Sequence, residues 1–168
     1  IKPDEIYNLG AQSHVRVSFD IPQFTVQTNA LGVMNLLDVY KYNCPTARFY
    51  QASSSEMFGR TIDEDGYQRE NTRMEPTSPY GCAHNLLAVT GIVFHHETPR
   101  RGSNFVTSKV VKGAVKIKLG MMDELVLGNM DAYRDWGHSK DYVRAMHMII
   151  NHTKPDDFVC ATGVTNSV

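Results

Sequence analysis

The sequence predicts an α/β protein built on a parallel sheet. Short apolar runs alternate with longer amphipathic segments along the chain. The runs are apolar on consecutive positions, as strands buried on both faces require, rather than alternating apolar with polar. The segments between them repeat apolar residues every three to four positions, the spacing of one helix face.

Taken in order, Glu5 to Ala11 (EIYNLGA) reads as a buried strand. Pro22 to Asn43 reads as a helix. Asp20 is placed to cap it, and Pro22 sits in the first turn, where a missing N–H costs little. Ala30, Val33, Met34 and Leu37 fall on one face. Arg48 to Ser53 (RFYQAS) is a second strand and Leu86 to Phe94 (LLAVTGIVF) a third. Ser103 is placed to cap a helix running to Gly120, with Val106, Val110, Ala114 and Ile117 inward and Lys109, Lys112 and Lys116 on a solvated face. Leu125 to Leu127 is a brief strand. Ser139 to Asn151 is an amphipathic helix through Tyr142, Val143, Met146, Ile149 and Ile150, and Asp157 to Thr162 (DFVCAT) is a last strand.

The link between the second and third strands breaks the pattern. Parallel neighbours need a crossover of at least ~10–12 residues, normally with a helix in it. Gly59 to Pro79 is polar and turn-rich, and Tyr80 to Asn85 leaves too few positions for a packed helix. Either the connection is irregular or a helix is missing from this crossover, and the second is expected.

Composition narrows the functional classes. The 168 residues, 42% hydrophobic and of net charge −1, amount to one domain able to bury about two-thirds of its unfolded surface. They lack the basic footprint of a nucleic-acid binder. No apolar run approaches the ~20 residues of a membrane span. The opening Ile1-Lys2-Pro3-Asp4-Glu5 is charged rather than a secretory leader, so the cytoplasm is expected. Cys44, Cys82 and Cys160 have unrelated spacings, which suits reduced thiols and predicts no metal site. A GxGxxG phosphate loop occurs nowhere.

One constellation stands out. Ser54-Ser55-Glu56 follows the second strand, and Tyr80 lies in the run SPYG. A hydroxyl, a carboxylate and a phenol at one end of a parallel sheet can move protons and position a carbonyl. Each alone has a plainer reading: a serine run is a turn or a cap, the glutamate is solvated, and the tyrosine packs a turn. His14 and His138 read as structural histidines.

The motifs EIYNLGAQSHV (5–15), FYQASSSEMFG (49–59), SPYG (78–81), HETPRRGSNFVT (96–107), LGNMDAYRDWGHSKDYV (127–143) and FVCATG (158–163), in this order, resemble the GDP-mannose 4,6-dehydratases. These belong to the extended short-chain dehydrogenases/reductases. The resemblance implies a Rossmann-like doubly wound sheet whose N-terminal phosphate-loop unit is missing. Residues 1–94 would be the latter part of the NADP-binding domain, and 95–168 an interleaved sugar-nucleotide-binding part with the final strands. It implies NADP as cofactor and GDP-mannose as substrate, converted to GDP-4-keto-6-deoxymannose, in a homo-oligomer, dimer or tetramer. Neither nucleic acid nor a membrane is expected as a partner.

Carried over residue by residue, Tyr80 is the base for the sugar hydroxyl, Glu56 removes the proton next to the new ketone, and Ser54 hydrogen-bonds the oxygen that becomes the ketone. Leu9, Ala11, Ser13, Tyr80, His96 and Arg101 match cofactor contacts. His95, Val106, Lys109 and Arg134 match substrate contacts. Two departures follow. His95 stands where the family has asparagine, and His84 stands where a lysine four residues after the tyrosine is needed. The family carries a helical stretch of about 15 residues at ~1.5 Å rise each between Ala83 and His84, so a break or a deletion is expected there. His84 would then belong to the next segment, and these residues alone would be inactive. Two other readings stay open. A sugar-nucleotide epimerase or reductase keeps Tyr80 without needing Glu56, and a non-catalytic module would serve binding or oligomerisation.

Overall fold

The computed structural model describes residues 2–85 and 91–168. The chain divides into two compact units, Ile1–Val93 with Arg144–Cys160, and Phe94–Val143 with Ala161–Val168.

The first unit begins with β1 (Glu5–Asn8), then α1 (Val15–Asp20), α2 (Pro22–Val26), a π-helical turn (Gln27–Leu31) and α3 (Gly32–Asn43). β2 (Arg48–Ser54) leads into a 3₁₀ turn (Ser55–Met57), and α4 (Pro79–Asn85) precedes β3 (Gly91–Val93). With a last strand at Val159–Cys160, the sheet has the order β1, β2, β3, Val159–Cys160, and every pairing is parallel. Register sets Tyr7 beside Tyr50, Ser54 beside Val93 and Ile92 beside Val159. Tyr50, Ile92, Met57, Phe58, Val33 and Ala30 form the buried core. Gly91 is required by this packing, since a Cβ there would stand 2.3 Å from the Tyr50 hydroxyl. That hydroxyl is buried without a hydrogen-bond partner among the described residues, and burial pushes its pKa above the ordinary phenol range.

Several expected boundaries move. β1 stops at Asn8 rather than Ala11 because the Asn8 side chain accepts from Gly10 N (3.2 Å) and donates to Gln51 Oε1 (2.7 Å), turning the chain. Asp20 does not cap the long helix. It ends α1 and pairs with Arg16 at 3.1 Å, while Ile21 precedes Pro22 in a non-helical conformation. Met34 is 54% exposed although Ala30 and Val33 are buried, because the π turn changes the phase of the helix just before it. The part of the predicted strand Leu86 to Phe94 at 86–90 lies outside the described residues.

A short helix does occupy the crossover, and Ala83 and His84 both lie within α4, so of the two expected outcomes there the break is excluded and the deletion is not.

The second unit holds β4 (His95–Glu97), α5 (Val106–Lys118), β5 (Tyr133–His138), the start of α6 (Ser139–Ile150), and then, past β6 (Val159–Cys160) of the first unit, β7 (Thr165–Ser167). β4 pairs β5 in parallel and β5 pairs β7 antiparallel. These strands read HHE, YRDWGH and TNS, with no apolar run to betray them. Leu125 to Leu127 is irregular, and Leu125 packs on Gly113 of α5. Phe105, not Ser103, occupies the N-cap of α5, and Ala114 and Ile117 are exposed. The predicted strand from Asp157 shrinks to Val159–Cys160 because Thr162 is drawn away by Asp135. The buried Asp135 carboxylate accepts from Thr162 N (3.0 Å), Thr162 Oγ1 (2.9 Å) and Gly163 N (2.8 Å). Asp135→Ala is expected to cost roughly 2–3 kcal/mol, the loss of charge-assisted bonds that leaves buried donors unpaired. Urea denaturation of the two proteins measures it, and equal midpoints would contradict this role.

Candidate active site

β2 delivers Ser54 to the carboxyl end of the sheet, where its Oγ accepts from Glu56 N at 3.2 Å and caps the 3₁₀ turn. With that lone pair used, the Ser54 O–H remains able to donate. Glu56 is half-buried on the same turn.

Tyr80 reaches this corner through α4. Ser78 caps the helix by accepting from Gly81 N at 3.0 Å, and Ser18 Oγ accepts from Tyr80 N at 3.2 Å. Gly81 lies against the Glu56 backbone: a Cβ there would stand 2.6 Å from Glu56 O and 3.0 Å from Pro76 Cβ. Only glycine lets α4 sit this close. The turn that carries Glu56 and the helix that carries Tyr80 are therefore in direct contact. The sequence held the signal for this helix, because Ser-Pro is a cap followed by proline at the first helical position.

Leu9, Ala11 and Ser13 lie in the loop beyond β1, at the same carboxyl edge, with Leu9 57% exposed. Ligands of such sheets lie at this edge. The same loop is clasped by a residue the sequence reading missed. Asn29, 1% exposed in the π turn, accepts from Gln12 N at 2.8 Å and donates to Gln12 O at 3.0 Å. Nothing in the helical periodicity marks it, since a buried asparagine occupies a core position like any other.

His84 sits one turn after Tyr80, with ring centroids 4.5 Å apart, and its Nε2 is 3.3 Å from Asn29 Nδ2. It is 7% exposed, and burial pushes its pKa down to about 4. The imidazole is thus neutral near pH 7 and supplies no cation to Tyr80. Its folded pKa lies below the unfolded value near 6.5, so the unfolded chain takes up the proton first as pH falls. Stability contributed by this group is lost from about pH 6.5 down to about 4, roughly 2–3 kcal/mol between pH 7 and 4.5. Denaturant unfolding at the two pH values checks this. His84→Gln is expected to lose less stability across that interval than the parent, and an equal loss would count against the assignment.

The second unit carries the other predicted residues. His95 on β4 pairs in register with Trp136, and its buried Nδ1 has no hydrogen-bond partner among the described residues. Burial first, then the Arg134 and Arg101 charges, push its pKa down to about 4. His96 Nδ1 lies 2.9 Å from Phe94 O, which assigns it the proton, and its ring stacks on Tyr142 at 4.8 Å. Arg101 Nε is 3.1 Å from Glu97 Oε2, off the hydrogen-bonding axis, and the guanidinium covers Phe105 at 3.5 Å. Val106 opens α5. Lys109 Nζ donates to Val126 O at 2.6 Å and Arg134 Nη1 to Tyr133 O at 2.8 Å.

The sequence profile described as GDP-mannose 4,6 dehydratase matches residues 1–168, the whole chain. This chain belongs to the GDP-mannose 4,6-dehydratase family. It is 47% identical to the human GDP-mannose 4,6 dehydratase over all of its own length and 49% of the relative's, and 45% identical to the Vibrio cholerae enzyme over 100% and 49%. Arabidopsis thaliana GDP-mannose 4,6 dehydratase 1 shares 46% identity, with 51% of its length covered. The chain spans about half the length of these relatives. The human alignment runs over 185 positions, 17 more than the 168 residues here, so the family carries residues this chain lacks within the aligned region. In fold the chain is similar to RMD from Pseudomonas aeruginosa complexed with NADPH, at TM-score 0.86 and 22% identity over 98% of this chain and 60% of that one. The dTDP-glucose 4,6-dehydratase DesIV from Streptomyces venezuelae, with NAD bound, superposes at TM-score 0.82 and 18% identity, over 98% and 53%. No helix among the described residues is long and apolar enough to cross a membrane.

Proposed function

We propose that this chain supplies the proton-transfer residues of an NADP-dependent GDP-mannose 4,6-dehydratase. The observation that carries the reading is the seating of α4 on the Glu56 turn through Gly81. It puts a phenol-bearing helix and a carboxylate at one carboxyl edge of the sheet. Bound NADP would supply the hydride acceptor and later the hydride donor. Tyr80 takes the proton of the sugar hydroxyl as the ketone forms, and Ser54 donates to the ketone oxygen. Glu56 removes the acidified neighbouring proton and assists departure of the terminal hydroxyl as water. A phenol of ordinary pKa ~10 needs a nearby positive charge for its role, and His84, being neutral, leaves that charge to the nicotinamide.

Leu9, Ala11 and Ser13 offer the exposed, partly apolar edge that the nicotinamide ribose would cover, and His96 and Arg101 are the proposed contacts in the second unit. His95, Val106, Lys109 and Arg134 are the proposed substrate contacts, the two cations answering the two phosphates of GDP-mannose. We place the protein in the cytoplasm as a homo-oligomer, dimer or tetramer.

The test is direct. Protein expressed from its full coding sequence, given GDP-mannose and NADP, is expected to form a product lighter by one water and bearing a ketone. Mass spectrometry reads it. An epimerised or reduced sugar with no water lost would favour the epimerase or reductase reading instead, and no turnover with intact sugar-nucleotide binding would favour the binding module.

A further inference from the structure

We propose that His84 is a positioning residue, fixing the ring of Tyr80 relative to the loop beyond β1 through the side chain of Asn29. This rests on the proposed role of Tyr80. The Asn29 amide has one orientation only: Gln12 N is a donor, so the atom it meets at 2.8 Å is Oδ1. Nδ2 therefore faces Gln12 O at 3.0 Å and His84 Nε2 at 3.3 Å, one N–H for each. His84 Nε2 must then accept, which leaves the imidazole proton on Nδ1. Three segments meet at this amide: the loop bearing Leu9, Ala11 and Ser13, the π turn, and α4. His84 in turn abuts the Tyr80 ring at 4.5 Å, tilted by 59°. His84 thus carries the amide clasp to the tyrosine on α4. A cation in this place would raise the acidity of Tyr80. A neutral acceptor sets direction instead.

The experiment compares His84→Phe, which keeps a ring against Tyr80 but has no acceptor, with His84→Gln, whose Oε1 can replace Nε2 as acceptor. Both are made in the protein expressed from its full coding sequence. In turnover of GDP-mannose, His84→Phe is expected to lower kcat by about tenfold or more with KM little changed, as misplacement of a reacting group does. His84→Gln restores most of it. Nitrogen-15 NMR of the parent protein gives a readout independent of activity. It is expected to show His84 with Nδ1 protonated and Nε2 bare, and the Asn29 side-chain amide resonances should shift in His84→Phe and return in His84→Gln. If turnover of GDP-mannose is absent altogether, the reading of the site fails, yet the NMR pattern still decides the clasp. Protonation at Nε2, or Asn29 resonances indifferent to both variants, overturns the proposal. So does equal loss of kcat in the two variants. Should His84→Phe fail to fold, the tautomer of the parent alone decides.

Discussion

Glu56→Gln, in the protein expressed from its full coding sequence, is expected to lose deoxy-sugar formation by about 10²–10⁴-fold, the worth of a positioned acid–base group. The first oxidation should survive, because the proposed reaction assigns that step to Tyr80 and Ser54. Mixing the variant with GDP-mannose and NADP should therefore give reduced cofactor, seen by its absorbance, while water loss stalls. Glutamine keeps the shape and the Ser54 cap, since the cap is made to Glu56 N and not to its carboxylate. A folding defect is thus not expected to mimic the result. Undiminished water loss would remove Glu56 from the reaction, and equal loss of both half-reactions would give it a structural role.

Gly81→Val is expected to destabilise the first unit at the seat of α4. Its Cβ would meet Glu56 O at 2.6 Å and Pro76 Cβ at 3.0 Å, and the nearer atom is backbone that no rotamer change can clear. α4 must lift from the turn, at a cost of about 2–3 kcal/mol. That is a large share of a stability usually near 5–15 kcal/mol. Displacement of Tyr80 should lower turnover by about 10²-fold in the molecules that remain folded. Gly128→Ala is the control, as a Cβ there meets nothing within 4 Å. Denaturant midpoints that do not separate the two variants would show that the close approach is relieved without cost.

What the sequence could show follows from what each element is made of. The β1, β2 and β3 neighbourhood was legible because strands buried on both faces must be apolar, and Ile6, Tyr50 and Ile92 mark them. β4, β5 and β7 were not, since their residues are polar and their stability comes from ladder bonds and the Asp135 clasp, which have no linear signature. Ser54, Glu56 and Tyr80 stand out in the sequence by residue type, but the seating of α4 on the Glu56 turn depends on Gly81, a residue whose contribution is the absence of a side chain. α4 was overlooked by counting positions to the next strand, although Ser78-Pro79 announced its start. Asn29 and His84 are bound to each other across 55 positions, a distance no periodicity spans.

The π turn at Gln27–Leu31 has a consequence for how this helix tolerates change in length. Its Gly32 N–H reaches Gln27 O, five residues back, so one more residue is accommodated there than α-helical winding holds. Each residue advances an α-helix by about 100°. Removing one residue from the turn would let the helix run as a regular α-helix, with everything on one side of the cut rotated by about a quarter turn or more against the rest. Val33 could then stay in the core only if Asn29 left Gln12 and His84, or Asn29 could stay only if Val33 turned outward. The extra residue works as a phase adjuster between two neighbouring demands, one of packing and one of hydrogen bonding, and length variation in this helix should be rare at 27–31 and tolerated at its far end near Asn43.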